Sequence, residues 1–232
     1  MGGVARAVGQ AADGYLTERE DRFGAMFDVL EALLGREFLA IDLACGPGSL
    51  SQRLLVRFPK AQCSAVDLDP VLLAVVQGAL GTMDGRLRWV EVDIKEADWL
   101  EHLGLEEVDA VLSTTALHWL PVERLIFLYR QLGQLIRPGG VFLNGDHMSF
   151  TSNMPRFAEV ALALKEKRRK HSFEELGIEK WEDWWEALRQ EPQLSTLFEE
   201  RDCRFSWRDE AWVDPSCELQ EAALKEAGFA EV

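Results

Sequence analysis

The chain has 232 residues, 47% hydrophobic and 28% charged, with a formal net charge of −15. That length supports a full hydrophobic core, and the composition excludes a disordered or fibrous chain. The negative charge argues against nucleic-acid backbones and anionic membranes as partners, because both would be repelled.

Residues 1–15 hold no apolar run suited to a signal peptide, and no stretch approaches the roughly eighteen apolar residues of a membrane helix. The cysteines, Cys45, Cys63, Cys203 and Cys217, show neither metal-site spacing nor a dense disulfide pattern. A cytoplasmic chain with reduced thiols and no metal is expected, as a monomer or homodimer.

The first predicted element is a helix over 23–35. Its spacing puts Phe23, Met26, Phe27, Leu30, Leu33 and Leu34 on one face, and Gly35 suits its C-terminal cap. From 38 to 147 short apolar runs alternate with amphipathic segments. Strands are predicted at 38–43, 62–68, 86–93, 108–113 and 140–147, and helices at 50–58, 70–80, 96–103 and 122–136. Near-continuous apolar strands separated by helices imply an α/β fold, a doubly wound and mostly parallel open sheet. Pro70 starts one helix, and the Arg-Pro-Gly-Gly run at 137–140 stops another.

The alternation then breaks. Helical spacing recurs in Phe157, Val160, Ala161 and Leu164, and again in Trp181, Trp184, Trp185 and Leu188. Three units follow: an N-terminal helix plus α/β core over 1–151, a helical cap over 152–213, and a returning helix over 214–232. The basic run 165–171 reads as a solvated helix face or as an attractor for an anionic substrate. Five of the eight tryptophans, including Trp207 and Trp212, fall in the cap, either as its own core or as a wall over the acceptor.

Three acids close predicted strands, Asp42, Asp67 and Asp93. In an open α/β sheet all three face the crevice at the carboxyl ends of the strands. Between the first two lies Gly46-Pro47-Gly48-Ser49-Leu50-Ser51, close to the dinucleotide pattern G-x-G-x-x-G, with Asp67 about twenty residues beyond Gly46. Two details count against a pyrophosphate. Asp42 brings negative charge to the loop, and Pro47 removes a backbone donor.

S-adenosyl-L-methionine answers both objections, because it carries no phosphate and its methionine end is cationic. Asp42 would serve that end directly or through water, Asp67 would accept from the ribose hydroxyls, and Asp93 would accept from the adenine amino group. Asp93 can equally cap a helix after its strand.

With these motifs in order, residues 38–147 resemble a class I S-adenosylmethionine-dependent methyltransferase, of the small-molecule type that includes the trans-aconitate methyltransferases. "AIDLACGPGSL" resembles the family's first motif, "AVDLDP" its ribose-binding acid, and "VEVDI" its adenine-binding segment. "VDAVLSTTALHWL" resembles the fourth-strand motif and "LIRPGGVFL" the entry to the fifth strand.

The resemblance implies transfer of a methyl group by in-line displacement to a small-molecule acceptor. It places cofactor contacts at Asp42, Ala44, Gly46, Gly48, Asp67, Leu68, Asp93, Ile94, Ser113 and Thr114. Ala44 stands where the family most often has glycine, a change expected to cost little. The family would continue past "GFAEV" through a sixth strand and an antiparallel seventh.

Beyond the motifs, Tyr15 and Arg19 would either fold over the cofactor carboxylate or lie on a solvated helix. His118, beside Trp119, lines the transfer site or packs under its loop. His147 serves as a general base or makes a structural hydrogen bond. Rival readings are an NAD-dependent reductase and a non-catalytic scaffold of the same fold. The lack of an Asn/Asp-Pro-Pro-aromatic tetrapeptide argues against a nucleic-acid amino-methylating enzyme.

Overall fold

A computed structural model of the chain describes residues 18–146, 148, 150, 154–171, 181–206 and 215–232, of which the side chains of Arg169 and Trp181 are not described. Helix α1 (Arg19–Leu34) leads into β1 (Leu39–Leu43), α2 (Ser49–Arg57), β2 (Gln62–Asp67), α3 (Pro70–Leu80) and β3 (Leu87–Glu91). Then come α4 (Trp99–Leu103), β4 (Val108–Thr114), α5 (Val122–Leu135) and β5 (Ile136–Gly145). The five strands form one sheet in the order β3-β2-β1-β4-β5, and every pairing is parallel.

Side-chain alternation explains the double winding. In β1, Ala40 joins the core beneath α1 and α2, whereas Ile41 and Leu43 join the core beneath α4 and α5. β4 divides in the same way from Ala110 onward, Ala110 and Leu112 against Val111. Asp42 therefore shares the α1–α2 face with Ala40. Order reverses between β1 and β4, so a crevice opens at the carboxyl ends of these strands.

Two features differ from expectation. Strand β5 begins at Ile136, directly at the end of α5, because 137–140 form a bulge: Val108 pairs with Ile136 and Ala110 with Val141. Arg137 holds the bulge by donating from Nε to Asp109 Oδ1 at 2.5 Å, and a Cβ on Gly140 would lie 2.6 Å from the Asp109 carbonyl. In α1, Leu33 is 62% exposed rather than buried, since it falls at the edge of the apolar stripe in the last turn.

Beyond β5 the described residues hold α6 (Pro155–Lys170), α7 (Trp181–Arg189), α8 (Ser195–Arg204) and α9 (Cys217–Glu226). Helix α9 packs on α5, close enough that a Cβ on Gly133 would collide with the Ala227 carbonyl. The helical spacing of α6 is as expected, yet Phe157, Val160 and Leu164 are exposed. Amphipathic periodicity reports that a helix can cover a surface, not which surface it covers. Lys165, Lys167, Arg168 and Lys170 are also exposed, and Arg168 pairs with Glu18 at 2.7 Å. No described helix is long and apolar enough to cross a membrane.

Candidate active site

A cavity of about 500 Å³ lies at the carboxyl ends of β1 to β4, closed on one side by α7 and α8. Its floor is the turn from β1 into α2, where Ala44, Gly46 and Gly48 have φ of 57°, 52° and 68°. The two glycines serve different ends. Gly46 lines the cavity, and a Cβ there would meet nothing within 4 Å. Gly48 is set back from it, and a Cβ there would lie 2.7 Å from the Trp89 ring and 2.9 Å from Val76. Gly48 is thus required by helix–sheet packing. Ala44 departs from the expectation of a mild change, because a left-handed alanine costs roughly 1–2 kcal/mol.

The turn's own carboxylates hold it together. Asp42 is 2% exposed and accepts from the Ser51 N–H at 3.0 Å and the Ser51 hydroxyl at 2.5 Å. It satisfies a first-turn donor of α2 from below and does not line the cavity. That corrects the expectation of direct contact with a ligand. Burial pushes its carboxyl up to about 7, despite the hydrogen bonds from Ser51.

Asp67 does line the cavity, accepting from the Gly46 N–H at 2.7 Å and the Asp69 N–H at 2.8 Å. Burial raises it to about 6. The Gly48 N–H in turn donates to the Cys45 carbonyl at 3.0 Å. With these two donors satisfied internally and Pro47 lacking one, the turn is not a phosphate nest. Cys45 also lines the cavity, but burial pushes its thiol far above the ordinary range, so it packs rather than reacts.

Further along the β2–β3 end, Leu68, Asp93 and Ile94 line the cavity. Asp93 accepts from the Lys95 N–H at 2.9 Å and pairs with the Lys95 ammonium at 3.4 Å. It therefore shapes the turn after β3 while facing the cavity, and it caps no helix, since α4 begins only at Trp99.

The opposite end is built from β4 and β5. Thr114 lines the cavity, whereas Ser113 is fully buried and donates its hydroxyl to the Leu43 carbonyl at 2.8 Å, tying β4 to β1. The resemblance implies that the Ser113 and Thr114 backbone faces the methionine part; of the two residues, Thr114 lines the cavity and Ser113 does not. Thr115 has φ of 57°, an unfavourable conformation for a β-branched residue. Arg22 holds it there, donating to Thr115 Oγ1 at 3.2 Å and to the Gly145 carbonyl at 2.7 Å.

His118, also in the wall, is fixed twice by Asp146, which accepts its backbone N–H at 2.9 Å and lies 2.6 Å from its Nδ1. The Asp146 side chain is 2% exposed. A carboxylate on Nδ1 orients the imidazole and favours the proton on that nitrogen, leaving Nε2 as the basic atom.

Arg19 is 4% exposed and lines the cavity, its guanidinium 5.8 Å from the Phe23 ring centroid and 3.6 Å from Glu20. It does not lie on a solvated face. His147 and Tyr15 fall outside the described residues, as do Trp207 and Trp212.

The cap tryptophans divide. Trp184 is 2% exposed and packs with Leu188 and Phe198 against Val71 and Leu72 of α3, whereas Trp185 lines the cavity with Arg201 and Phe205. Sequence reasoning missed Asp69, Thr115, Asp146 and Arg201. Two carried a signal: Asp146 as an acid at the end of the predicted fifth strand, and Asp69 as the residue before Pro70, where an N-cap is expected.

Residues 40–140 match the family model described as a methyltransferase domain. Among curated proteins, the chain is 33% identical over 122 residues to a trans-aconitate 2-methyltransferase of Mycolicibacterium gilvum, covering 52% of this chain and 43% of the relative. It is 23% identical over 178 residues to a malonyl-[acyl-carrier protein] O-methyltransferase of Paenibacillus, covering 75% of this chain and 60% of the relative. The chain thus spans about half the length of these relatives. Among solved structures, an O-methyltransferase family protein from Burkholderia thailandensis matches at a TM-score of 0.55 and 18% identity, over 89% of this chain and 51% of that one. That likeness is one of fold.

Proposed function

Residues 40–140 belong to the class I S-adenosylmethionine-dependent methyltransferases, and from that premise we propose that this enzyme moves the cofactor's methyl group to a small-molecule acceptor. The observation that carries the reading is the polarity of the cavity: carboxylates at the β2–β3 end, a carboxylate-held histidine at the β4–β5 end. The donor set suits a ligand with no phosphate at the turn and with hydroxyl and amino donors for the carboxylates. Two backbone donors of the turn are satisfied internally, and Asp67 and Asp93 face the cavity. A pyrophosphate would meet charge repulsion there, which weighs against the NAD-dependent reading.

When bound, S-adenosylmethionine supplies an electrophilic methyl on sulfur with a neutral thioether as leaving group. Asp67 and Leu68 would hold the ribose side, and Asp93 and Ile94 the base. Arg19, a buried cation of the wall, would take the methionine carboxylate. The Thr114–Thr115 backbone lines the passage between the two ends.

His118 Nε2, with Asp146 on the other ring nitrogen, would receive the acceptor's proton. Alignment and exclusion of water by Phe23, Trp119 and Leu120 supply the rest, since displacement at carbon with such a leaving group needs chiefly a fixed line of approach.

Titration calorimetry with S-adenosylhomocysteine and with NADH tests the reading. Binding of the first and not the second is expected, with transfer of labelled methyl to a metabolite pool. Binding of NADH alone would sink it in favour of a reductase. Binding without transfer to any acceptor would favour a scaffold.

A further inference from the structure

The cap meets the core at an unexpected place. An acceptor-selecting lid belongs over His118, at the β4–β5 end. Every described polar tie from α8 to the core instead falls on β2, β3 or the turn between β2 and α3. Arg201 donates from Nε to Asp69 Oδ2 at 2.7 Å, and Arg204 donates to the Leu68 carbonyl at 2.8 Å and to Glu91 at 2.6 Å. Its apolar ties fall on Val71 and Leu72 of α3, next in the chain. β2 and β5 are separated by β1 and β4, so the two ends stand roughly 14 Å apart at the ordinary strand spacing.

Resting on the methyltransferase reading above, we infer that α7–α8 is a cover for the cofactor's nucleoside, built around Trp185 and Arg201, rather than a selector of the acceptor. The Arg201 guanidinium lies 3.9 Å from the Trp185 ring centroid and 5.2 Å from that of Phe205, and all three side chains line the cavity. An indole and a guanidinium are flat, polarisable surfaces on which a purine stacks. The Arg201 charge also balances the carboxylates that line this end, Asp67, Asp69 and Asp93.

Arg201 reaches the ribose acid as well. Its partner Asp69 caps α3 through the Val71 and Leu72 N–H groups at 3.0 and 3.2 Å. The Asp69 N–H donates in turn to Asp67 at 2.8 Å. The cover and the ribose-binding carboxylate are therefore one connected unit, and losing Arg201 loosens both.

The test compares S-adenosylhomocysteine with 5′-methylthioadenosine, which keeps the nucleoside and lacks the amino-acid arm. Trp185→Ala and Arg201→Met are titrated with each ligand alongside wild type, and stopped-flow displacement gives dissociation rates. Base–aromatic stacking predicts roughly tenfold weaker binding of both ligands, by a similar factor, chiefly through faster dissociation.

Arg201→Lys, which keeps the charge and can keep a tie to Asp69 but lacks the flat guanidinium, is expected to recover only part of the loss. It keeps the test open if Arg201→Met does not fold by circular dichroism. Folded variants that bind both ligands as wild type does would overturn the cover. A wild type that binds neither would overturn the methyltransferase reading and the cover with it.

Discussion

The two ends of the cavity are held by opposite means. At the β2–β3 end, acids are pinned by backbone amides, most of them two or three residues away: Asp67 by Asp69, Asp69 by Val71 and Leu72, Asp93 by Lys95, with the Gly46 amide reaching Asp67 from the turn after the neighbouring strand β1. At the β4–β5 end, the key contacts join residues far apart in the chain: His118 to Asp146, and Arg22 to Thr115 and Gly145. The first end is assembled by turns and exists once its strands pair. The second needs α1, β4 and β5 in place together. A binding end can be built locally, whereas an end that must aim a proton acceptor at a reacting atom is fixed by tertiary contacts.

The sharpest way to break this contrast is a crossed pair of variants. His118→Ala is expected to lower methyl transfer about 10²–10⁴-fold, the usual contribution of a positioned base, with affinity for S-adenosylhomocysteine retained. Asp67→Ala should do the reverse, weakening that ligand roughly ten- to a hundredfold, or about 1.5–3 kcal/mol. Transfer rates with labelled donor and calorimetry are measured on both. Equal effects on rate and affinity in either variant would dissolve the division of labour.

Between the ends lies Asp42, whose effect is one of stability. Its carboxyl sits at about 7 in the folded chain against an ordinary 3.8, so the native state retains a proton that the unfolded chain has lost between those values. Folding therefore binds a proton in this window, and stability falls as pH rises from about 4 to about 7, by a few kcal/mol. Asp67, raised to about 6, adds a slope of the same sign over a narrower range. Asp42→Asn keeps an acceptor for Ser51 without the charge. Urea unfolding at pH 5 and pH 8 should show a clearly smaller loss for this variant than for wild type; an unchanged slope would remove Asp42 as its source.

The smallest expected effect concerns strain at the floor of the cavity. Ala44→Gly relieves a left-handed alanine but loosens the unfolded chain, for a net gain of about 0.5–1 kcal/mol. In a chain of this size that raises the melting temperature by about 1–4 °C. A lower melting temperature would mean that the Ala44 methyl contributes packing worth more than the strain.

The sequence by itself determined the parallel sheet, the order of its strands and helices, and the acids at the strand ends. These follow from short-range physics: apolar runs of strand length, turn chemistry, and a turn whose two glycines, unlike the left-handed Ala44, announce its conformation by residue type. What only the tertiary structure decided is where those residues point and what meets them. Asp42 turns down to Ser51 because it shares a strand face with Ala40, and Gly48 is required by the Trp89 ring from a strand two places away in the sheet. His118 finds Asp146 across 28 residues, and Arg201 finds Asp69 across 132. Periodicity marks an apolar helix face without naming its partner. That is why α7 was legible as a helix while its seat, over the β2–β3 end of the cavity, had to come from packing, and α8, which carries Arg201, went unread.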